Sequence, residues 1–336
     1  MSRFPSLPIS PARRGLCSLP LLVILGCCFL VGYPAGAADE PAAVAEPAPI
    51  EELAPGIHRI ELGADGAVVA VDGPRGRLLV DSGSAAALPR LLAALETLPP
   101  LPVRLVINTH YHADHLGGNG TFRAQGAMVM AHANVATQAR RDVVIEEWGD
   151  WHREPSPEAD LPQLEIHGPA TVHWGDERIE ILPAPAAHTD GDLVLIFHRA
   201  RLAHLGDLLE VGAPPFIDWW AGGSLEGILE ALDRVLEWRS PDALPEATSE
   251  GGTHRLTRFV PGHGAVVDRQ GLERYRSLLE TVAGRVGDAV AAGKSAQETV
   301  DLQLAQDYAE ELGGERRARQ LVYLLYLGLS GAAPGT

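Results

Sequence analysis

The chain has 336 residues, with 27 Lys and Arg against 44 Asp and Glu, a formal net charge of −17 and only three cysteines. A hydrophobic fraction of 46% with 21% charged residues excludes wholesale disorder, and the length allows one large domain or two small ones. The acidic balance, with Lys294 as the single lysine, excludes a nucleic-acid or anionic-membrane surface, because phosphate binding needs clustered Lys and Arg.

The three cysteines, Cys17, Cys27 and Cys28, lie in the first 28 residues, so the body has neither a disulfide framework nor a thiolate metal site. Arg3, Arg13 and Arg14 precede an apolar run over 16–32, and Ala35-Gly36-Ala37-Ala38 follows it. A basic start, an apolar middle and small residues at −3 and −1 predict a signal peptide over 1–37, and hence a periplasmic or secreted protein. The alternative is a membrane anchor, since the run approaches bilayer length. Pro20 inside it and the Ala-x-Ala site favour removal, which leaves no stable span. Ile24-Leu25-Gly26-Cys27 loosely resembles a lipoprotein box and Arg13-Arg14 a twin-arginine signal, so the export route stays open. Residues 38–55, rich in Ala, Pro and Glu, read as a flexible leader.

From residue 57 the pattern becomes strand-like, with short β-runs at 57–62, 67–71 and 77–80. A helix is predicted over 84–98, a buried strand at 103–107, a strand at 128–131 and a helix over about 134–145. The polar, Trp- and Pro-containing stretch 146–163 reads as a surface flap. Strands resume at 171–173, 177–182, 193–198 and 202–205, followed by a helix at 225–238, a strand at 258–260 and a helix at 272–292. Helices at 296–312 and 316–329 close the chain, and 291–336 reads as a helical extension to a catalytic domain of 56–290. Strand runs followed by helices, twice over, predict an α/β architecture in layers.

The chemistry sits in Val106 to Asn119, which reads Val-Ile-Asn-Thr-His-Tyr-His-Ala-Asp-His-Leu-Gly-Gly-Asn. It begins at the end of a buried strand, where open α/β sheets place their sites. In an extended stretch side chains two apart face the same way, so His110 and His112 can reach one metal together. Asp114 and His115 follow where the chain turns towards a helix and can point at a second ion. A lone histidine is usually structural, but four potential ligands in six residues before Gly-Gly is not a core pattern. His188 lies in a loop between two strands, Asp207 ends the run Leu205-Gly206-Asp207, and His263 sits in Pro261-Gly262-His263-Gly264. Singly each could be a turn residue or a cap. Together they lie at strand ends beside glycines and bring the ligand count to seven.

With those motifs on the page the chain resembles the metallo-β-lactamase superfamily over about residues 56–290, through Asp81 in Leu-Leu-Val-Asp-Ser-Gly, the His-x-His-x-Asp-His run, His188, Asp207 and His263 in the family's order. The resemblance implies a four-layer αββα sandwich with two zinc ions in a cleft at its edge. It places His110, His112 and His188 on the first zinc and Asp114, His115 and His263 on the second, with Asp207 bridging. Asp81 is expected behind the ligands, holding the His-rich loop without touching metal. Two such ions can share a water and lower its pKa, giving a hydroxide that attacks a carbonyl, while Asp114 returns a proton to the leaving group.

The best-known secreted β-lactamases of this superfamily carry cysteine or serine at the bridging position, and many use a nearby lysine. The aspartate here resembles glyoxalase II-type thioester hydrolases, lactonases and periplasmic β-lactamase-like members. The expected activity is thus a secreted zinc hydrolase acting on an ester, lactone, thioester or lactam of a small-molecule substrate. A true class B β-lactamase is the alternative, and a di-iron redox protein on the same fold is the alternative of another class. Trp148, Trp151, Trp219 and Trp220 either wall the metal cleft or merely pack their loops. His132 reads as a core histidine. Arg316, Arg317 and Arg319 read as a charged helix face rather than as a site for an acidic thiol cofactor.

Overall fold

Strands with apolar residues on both faces build two sheets, and each sheet finds helices for its outer face. The computed structural model describes residues 45–145, 151–184, 186–240 and 255–331. Strands β1 (Ile50–Ala54), β2 (Ile57–Gly63), β3 (Gly66–Gly73) and β4 (Gly76–Val80) form an antiparallel meander. Helix α1 (Leu88–Thr97) then crosses to β5 (Val103–Ile107), which runs parallel to β4. Two short helices, α2 (Ala113–Leu116) and α3 (Asn119–Ala124), lead to β6 (Met128–His132), and α4 (Ala133–Ala139) follows it. A separate hairpin pairs β7 (Val143–Ile145) with β8 (Trp151–Arg153), and β9 (Leu164–Ile166) closes the first sheet parallel to β6.

The second sheet begins with β10 (Ala170–Trp174), β11 (Glu177–Ala184), β12 (Asp192–Phe197) and β13 (Leu202–Glu210), each antiparallel to the one before. Helix α5 (Leu225–Glu237), capped by Ser224, precedes β14 (Arg258–His263), which lies parallel to β13. Strand β15 (Val267–Asp268) and helices α6 (Arg269–Ala291), α7 (Ala296–Asp301) and α8 (Glu315–Leu329) complete the described chain.

The period-two alternation of the strands sorts the core into layers. Val68, Ala70, Leu79, Val106 and Val129 point outward from the first sheet and pack under Leu91 and Ala94 of α1 and Phe122 of α3. Their neighbours Val69, Val71, Leu78, Val80, Leu105 and Ile107 point the other way, against Ile179, Ile181, Leu193, Leu195 and Phe197 of the second sheet. The far face of that sheet, including Val194 and Ile196, is covered by α5, α6 and α8. Helix, sheet, sheet, helix is the αββα sandwich expected from the sequence, and each fully buried aliphatic side chain contributes about 1.5–3 kcal/mol to it.

Several segments differ from the sequence reading. Residues 48–54 are not a loose leader: Ala48 is buried, its amide donates to the Arg90 carbonyl, and β1 pairs with β2. The helix expected to run to 145 stops at Ala139, because Val143, Val144 and Ile145, all β-branched, pair as a strand with β8. The flap holds β8 and a 3-10 turn at Glu158–Asp160 that ties back to the His-rich loop. The helix expected over 296–312 ends at Asp301, and Gln303 then takes a left-handed backbone that turns Ala305 and Leu312 into the core. Ala318, Leu321, Val322 and Leu325 of α8 join the same core as α5 and α6, so the helical extension packs into the fourth layer. The signal peptide expected over 1–37 and Trp148 lie outside the described residues. Among the described residues no helix is long and apolar enough to cross a membrane.

Candidate metal centre

The strand ends deliver the charged residues to one edge of the sandwich. At the end of β4, Asp81 takes a left-handed backbone (φ 63°), which costs a non-glycine residue of order 1 kcal/mol. The cost is offset because its carboxylate then accepts the Thr109 amide at 2.7 Å, the Thr109 hydroxyl at 2.9 Å and His115 Nδ1 at 2.8 Å. Asn119 Nδ2 donates to Asn108 Oδ1 at 2.8 Å, and Asn108 and Ser82 both donate to the His115 carbonyl. The loop from Asn108 to Asn119 is therefore held along its length before any ligand atom is considered.

Backbone partners and neighbours fix how the histidines present their lone pairs. A carboxylate only accepts, so His112 donates Nε2–H to Asp218 Oδ2 at 3.0 Å and turns Nδ1 inward. A carbonyl only accepts, so His188 donates from Nδ1 to the Phe216 carbonyl at 2.6 Å and turns Nε2 inward. Thr109 spends its proton on Asp81, so its oxygen accepts from His110 Nδ1 at 3.1 Å, leaving His110 Nε2 inward. His110 Nε2 and His188 Nε2 each lie 3.0 Å from His112 Nδ1. Three imidazole lone pairs thus converge on one point.

The second set lies beside it. Asp114 Oδ2 is 3.2 Å from His263 Nε2 and 3.8 Å from His115 Nε2. Asp207 stands between the sets, with Oδ2 3.7 Å from both His110 Nε2 and His188 Nε2 and 3.6 Å from His263 Nε2, and Oδ1 3.3 Å from His115 Nε2. The donor atoms form two groups, His110, His112, His188 and Asp207, then Asp114, His115 and His263, each lying within 4.8 Å. All seven residues singled out in the sequence are brought together, and Asp81 lies behind them. His115 Nε2 and Asp207 Oδ1 are buried and face each other at 3.3 Å without an aligned hydrogen bond, so both keep a lone-pair direction that a cation can use. The residues present therefore fit a pair of metal ions with nitrogen and oxygen ligands.

Close packing holds Asp207 in place. A Cβ on Gly206 would meet Thr109 Cβ at 2.9 Å, and one on Gly262 would meet Asp207 Oδ1 at 1.9 Å. Only a residue without a side chain lets β13 and β14 approach this closely. The cleft opens where His112, Asp114 and His263 have side chains 18%, 29% and 23% exposed, and the other four are buried.

The two groups differ in charge. Burial drives His188 down to about 4 and His110 well below the usual imidazole range, so both are neutral ligands. Burial also pulls on His115 and His263, but nearby carboxylates, Asp207 foremost, outweigh it and raise His115 well above that range and His263 to about 9. Burial would raise Asp114, yet His115 and the His263 hydrogen bond outweigh it and hold the carboxyl at about 2.

Asp218 is the functional residue that sequence reasoning missed. It accepts from the Tyr111 hydroxyl as well as from His112, and its other oxygen accepts the Ala221 amide. Its only signal was a carboxylate inside Phe216-Ile217-Asp218-Trp219-Trp220, and no spacing connects that to His112, 106 residues earlier. Arg59 was missed as well: its guanidinium donates to the Gly264 carbonyl at 2.5 Å, steadying the turn that carries His263. Trp219 packs on α8, where a Cβ on Gly328 would meet its ring at 2.2 Å, so it serves the core. Trp220 lines a recess next to His112. His132 receives the Asn134 amide as the cap of α4, Arg317 bonds the Gly212 carbonyl and Arg319 pairs with Asp301.

The family profile described as the metallo-beta-lactamase superfamily matches residues 63–293. The chain is 26% identical over 244 residues to the 2,4-dinitroanisole O-demethylase subunit alpha of Nocardioides sp. (strain JS1661), covering 67% of this chain and only 60% of that relative's length. It is 29% identical over 218 residues to a hydroxyacylglutathione hydrolase of Methylococcus capsulatus, covering 61% of this chain and 73% of the relative. Among solved structures, a metallo-beta-lactamase family protein from Thermus thermophilus shares the fold, with a TM-score of 0.58 at 21% identity, covering 84% of this chain and 96% of that one.

Proposed function

The chain belongs to the metallo-β-lactamase superfamily, and on that premise we propose that it is an exported dinuclear zinc hydrolase acting on a carbonyl compound: an ester, lactone, thioester or lactam. The observation that carries the reading is the convergence of seven donor residues, six of them on either side of Asp207, with His115 Nε2 and Asp207 Oδ1 buried and without an aligned hydrogen bond. His110, His112 and His188 would hold one ion, Asp114, His115 and His263 the other, and Asp207 would touch both. A donor set of imidazoles and carboxylates without thiolate suits zinc. When bound, the ions would supply an acidified water and an electrophile for the substrate oxygen.

The protein's own groups do the rest. Asp114, ionised and facing the cleft, accepts a hydrogen bond from the attacking water and passes the proton on to the leaving group. Asp81 and Asp218 keep His115 and His112 aimed inward throughout. The carbonyl substrate class is supported by the similarity to a hydroxyacylglutathione hydrolase and by an aspartate, not a cysteine, at position 207.

The test is to purify the chain, quantify bound metal, and screen thioesters, lactones, esters, β-lactams and phosphodiesters. Zinc near two per chain with carbonyl hydrolysis is expected. Two irons with redox activity would sink the proposal, and a strong preference for β-lactams would make the protein a class B enzyme. The double variant His110→Ala with His112→Ala should lose the best activity, and its survival would refute the site. Export is tested on the full chain in a Gram-negative host, where the mature N-terminus should begin at Ala38.

A further inference from the structure

Beside His112 lies a narrow recess of about 40 Å³ that the catalytic groups do not use. Tyr111, Phe216 and Trp220 line it from the site loops, and Val143 and Ile145 line it from β7 of the hairpin. Its cationic wall is Arg153 on β8, directly across the hairpin from Val143. The Arg153 guanidinium lies over the Tyr111 ring, 4.8 Å from its centroid, and donates from one nitrogen to the Gln138 carbonyl at 3.1 Å. A stacked face and one fixed hydrogen bond restrict the plane of the fork, and a guanidinium with N–H groups left over pairs best with a planar anion such as a carboxylate.

The surrounding charge points the same way. Arg153 has no carboxylate partner among the described residues, whereas nearby Arg140 pairs with Glu158. A second guanidinium, Arg141, is held close by through bonds to Gln138 Oε1 at 2.8 Å and the Trp220 carbonyl at 2.7 Å, again with no described carboxylate on it. The one acid lining the recess, Asp218, is already satisfied by Tyr111, His112 and Ala221, so it is closed to a cationic ligand. In a chain of net charge −17, an apolar recess walled by arginine beside a metal-ligand histidine is selective for an anion with an apolar stem.

We propose that this recess takes the carboxylate-bearing arm of the substrate, with the apolar stem between Val143, Ile145 and Trp220 and the carboxylate on Arg153. The substrate would thus be a carbonyl compound carrying a second, anionic carboxylate. The reaction part of the inference rests on the hydrolase reading, but the binding part does not.

Two measurements separate those parts. First, calorimetry with 3-phenylpropionate and its neutral amide should show the acid binding about tenfold more tightly, an advantage lost in Arg153→Gln and partly restored in Arg153→Lys. A carboxylate that Arg153→Gln still binds, and that a chelator releases, is sitting on metal, and this result overturns the proposal. So does equal affinity for acid and amide. Second, the ratio of kcat/KM for mono-p-nitrophenyl glutarate over p-nitrophenyl butyrate should fall about tenfold in Arg153→Gln, through KM. A proportional loss on both esters would make Arg153 a structural residue and overturn the assignment. If neither ester is hydrolysed while the calorimetric preference holds, the hydrolase reading fails and the anion recess stands.

Discussion

The two halves of the candidate metal centre are built on opposite electrostatic plans. His110, His112 and His188 are oriented by hydrogen bonds to a hydroxyl, a carboxylate and a carbonyl, and burial keeps His110 and His188 neutral. Asp114, His115 and His263 instead hold one another as charges, with both imidazoles raised by carboxylates and Asp114 depressed by imidazoles. The first half is a set of lone pairs waiting for a cation. The second is an internal ion network that must release protons to accept one. A site of this kind should load its ions in order, the His110, His112, His188 half first and the other half with a pH-dependent affinity.

The largest expected effect comes from the residue the halves share. Asp207→Ala should lower metal content at both positions and reduce hydrolysis on the order of a thousandfold or more. If metal analysis instead shows a single ion retained at full affinity, the halves are independent and Asp207 belongs to one of them. Next come the orienting carboxylates. Asp218→Ala should weaken the first ion by about 10–100-fold and Asp81→Ala the second by a similar factor. Asp81→Ala should in addition lower the melting temperature, since it strands the buried Thr109 amide and hydroxyl. Sequential zinc titration of the two variants with a competing chelator reads these effects, and identical curves would erase the distinction between the halves.

The last effect is the pH dependence. In the metal-free chain His263 stays protonated below about 9 and His115 is raised as well, so the second ion must displace both protons, and its affinity should fall more than tenfold and up to about a hundredfold per pH unit below that value. His188 is already neutral above about 4, so the affinity of the first ion should stay nearly flat from pH 6 to 9 as far as that ligand is concerned. Zinc titrations at pH 6, 7 and 8 test this, and equal slopes for both ions would count against the assigned charge states.

Much of this was legible in the sequence because it was local. The His110, His112, Asp114, His115 cluster lies in six consecutive residues at a strand end, and the strand alternation that separates Val68 from Val69 is a local pattern with a two-layer consequence. The elements that were misread also have local reasons. Val143 to Ile145 sits next to helix-compatible residues, and only pairing with β8 decides for the strand. β1 depends wholly on β2, and Ala-Pro-Glu composition carries no trace of that partnership. Long-range partners left no signal at all. Asp218 on His112 and Arg59 on Gly264 join residues separated by 106 and 205 positions.

The sequence by itself determined the candidate ligand types, the layered α/β class and the absence of thiolate from the body, because each follows from residue identity and short-range periodicity. Only the tertiary structure decided which nitrogen each histidine turns inward, that Asp207 stands between two groups, and that Trp219 packs in the core while Trp220 faces a recess with Arg153. These depend on contacts between strand ends and loops far apart in the chain, which close packing of two sheets brings within hydrogen-bond distance.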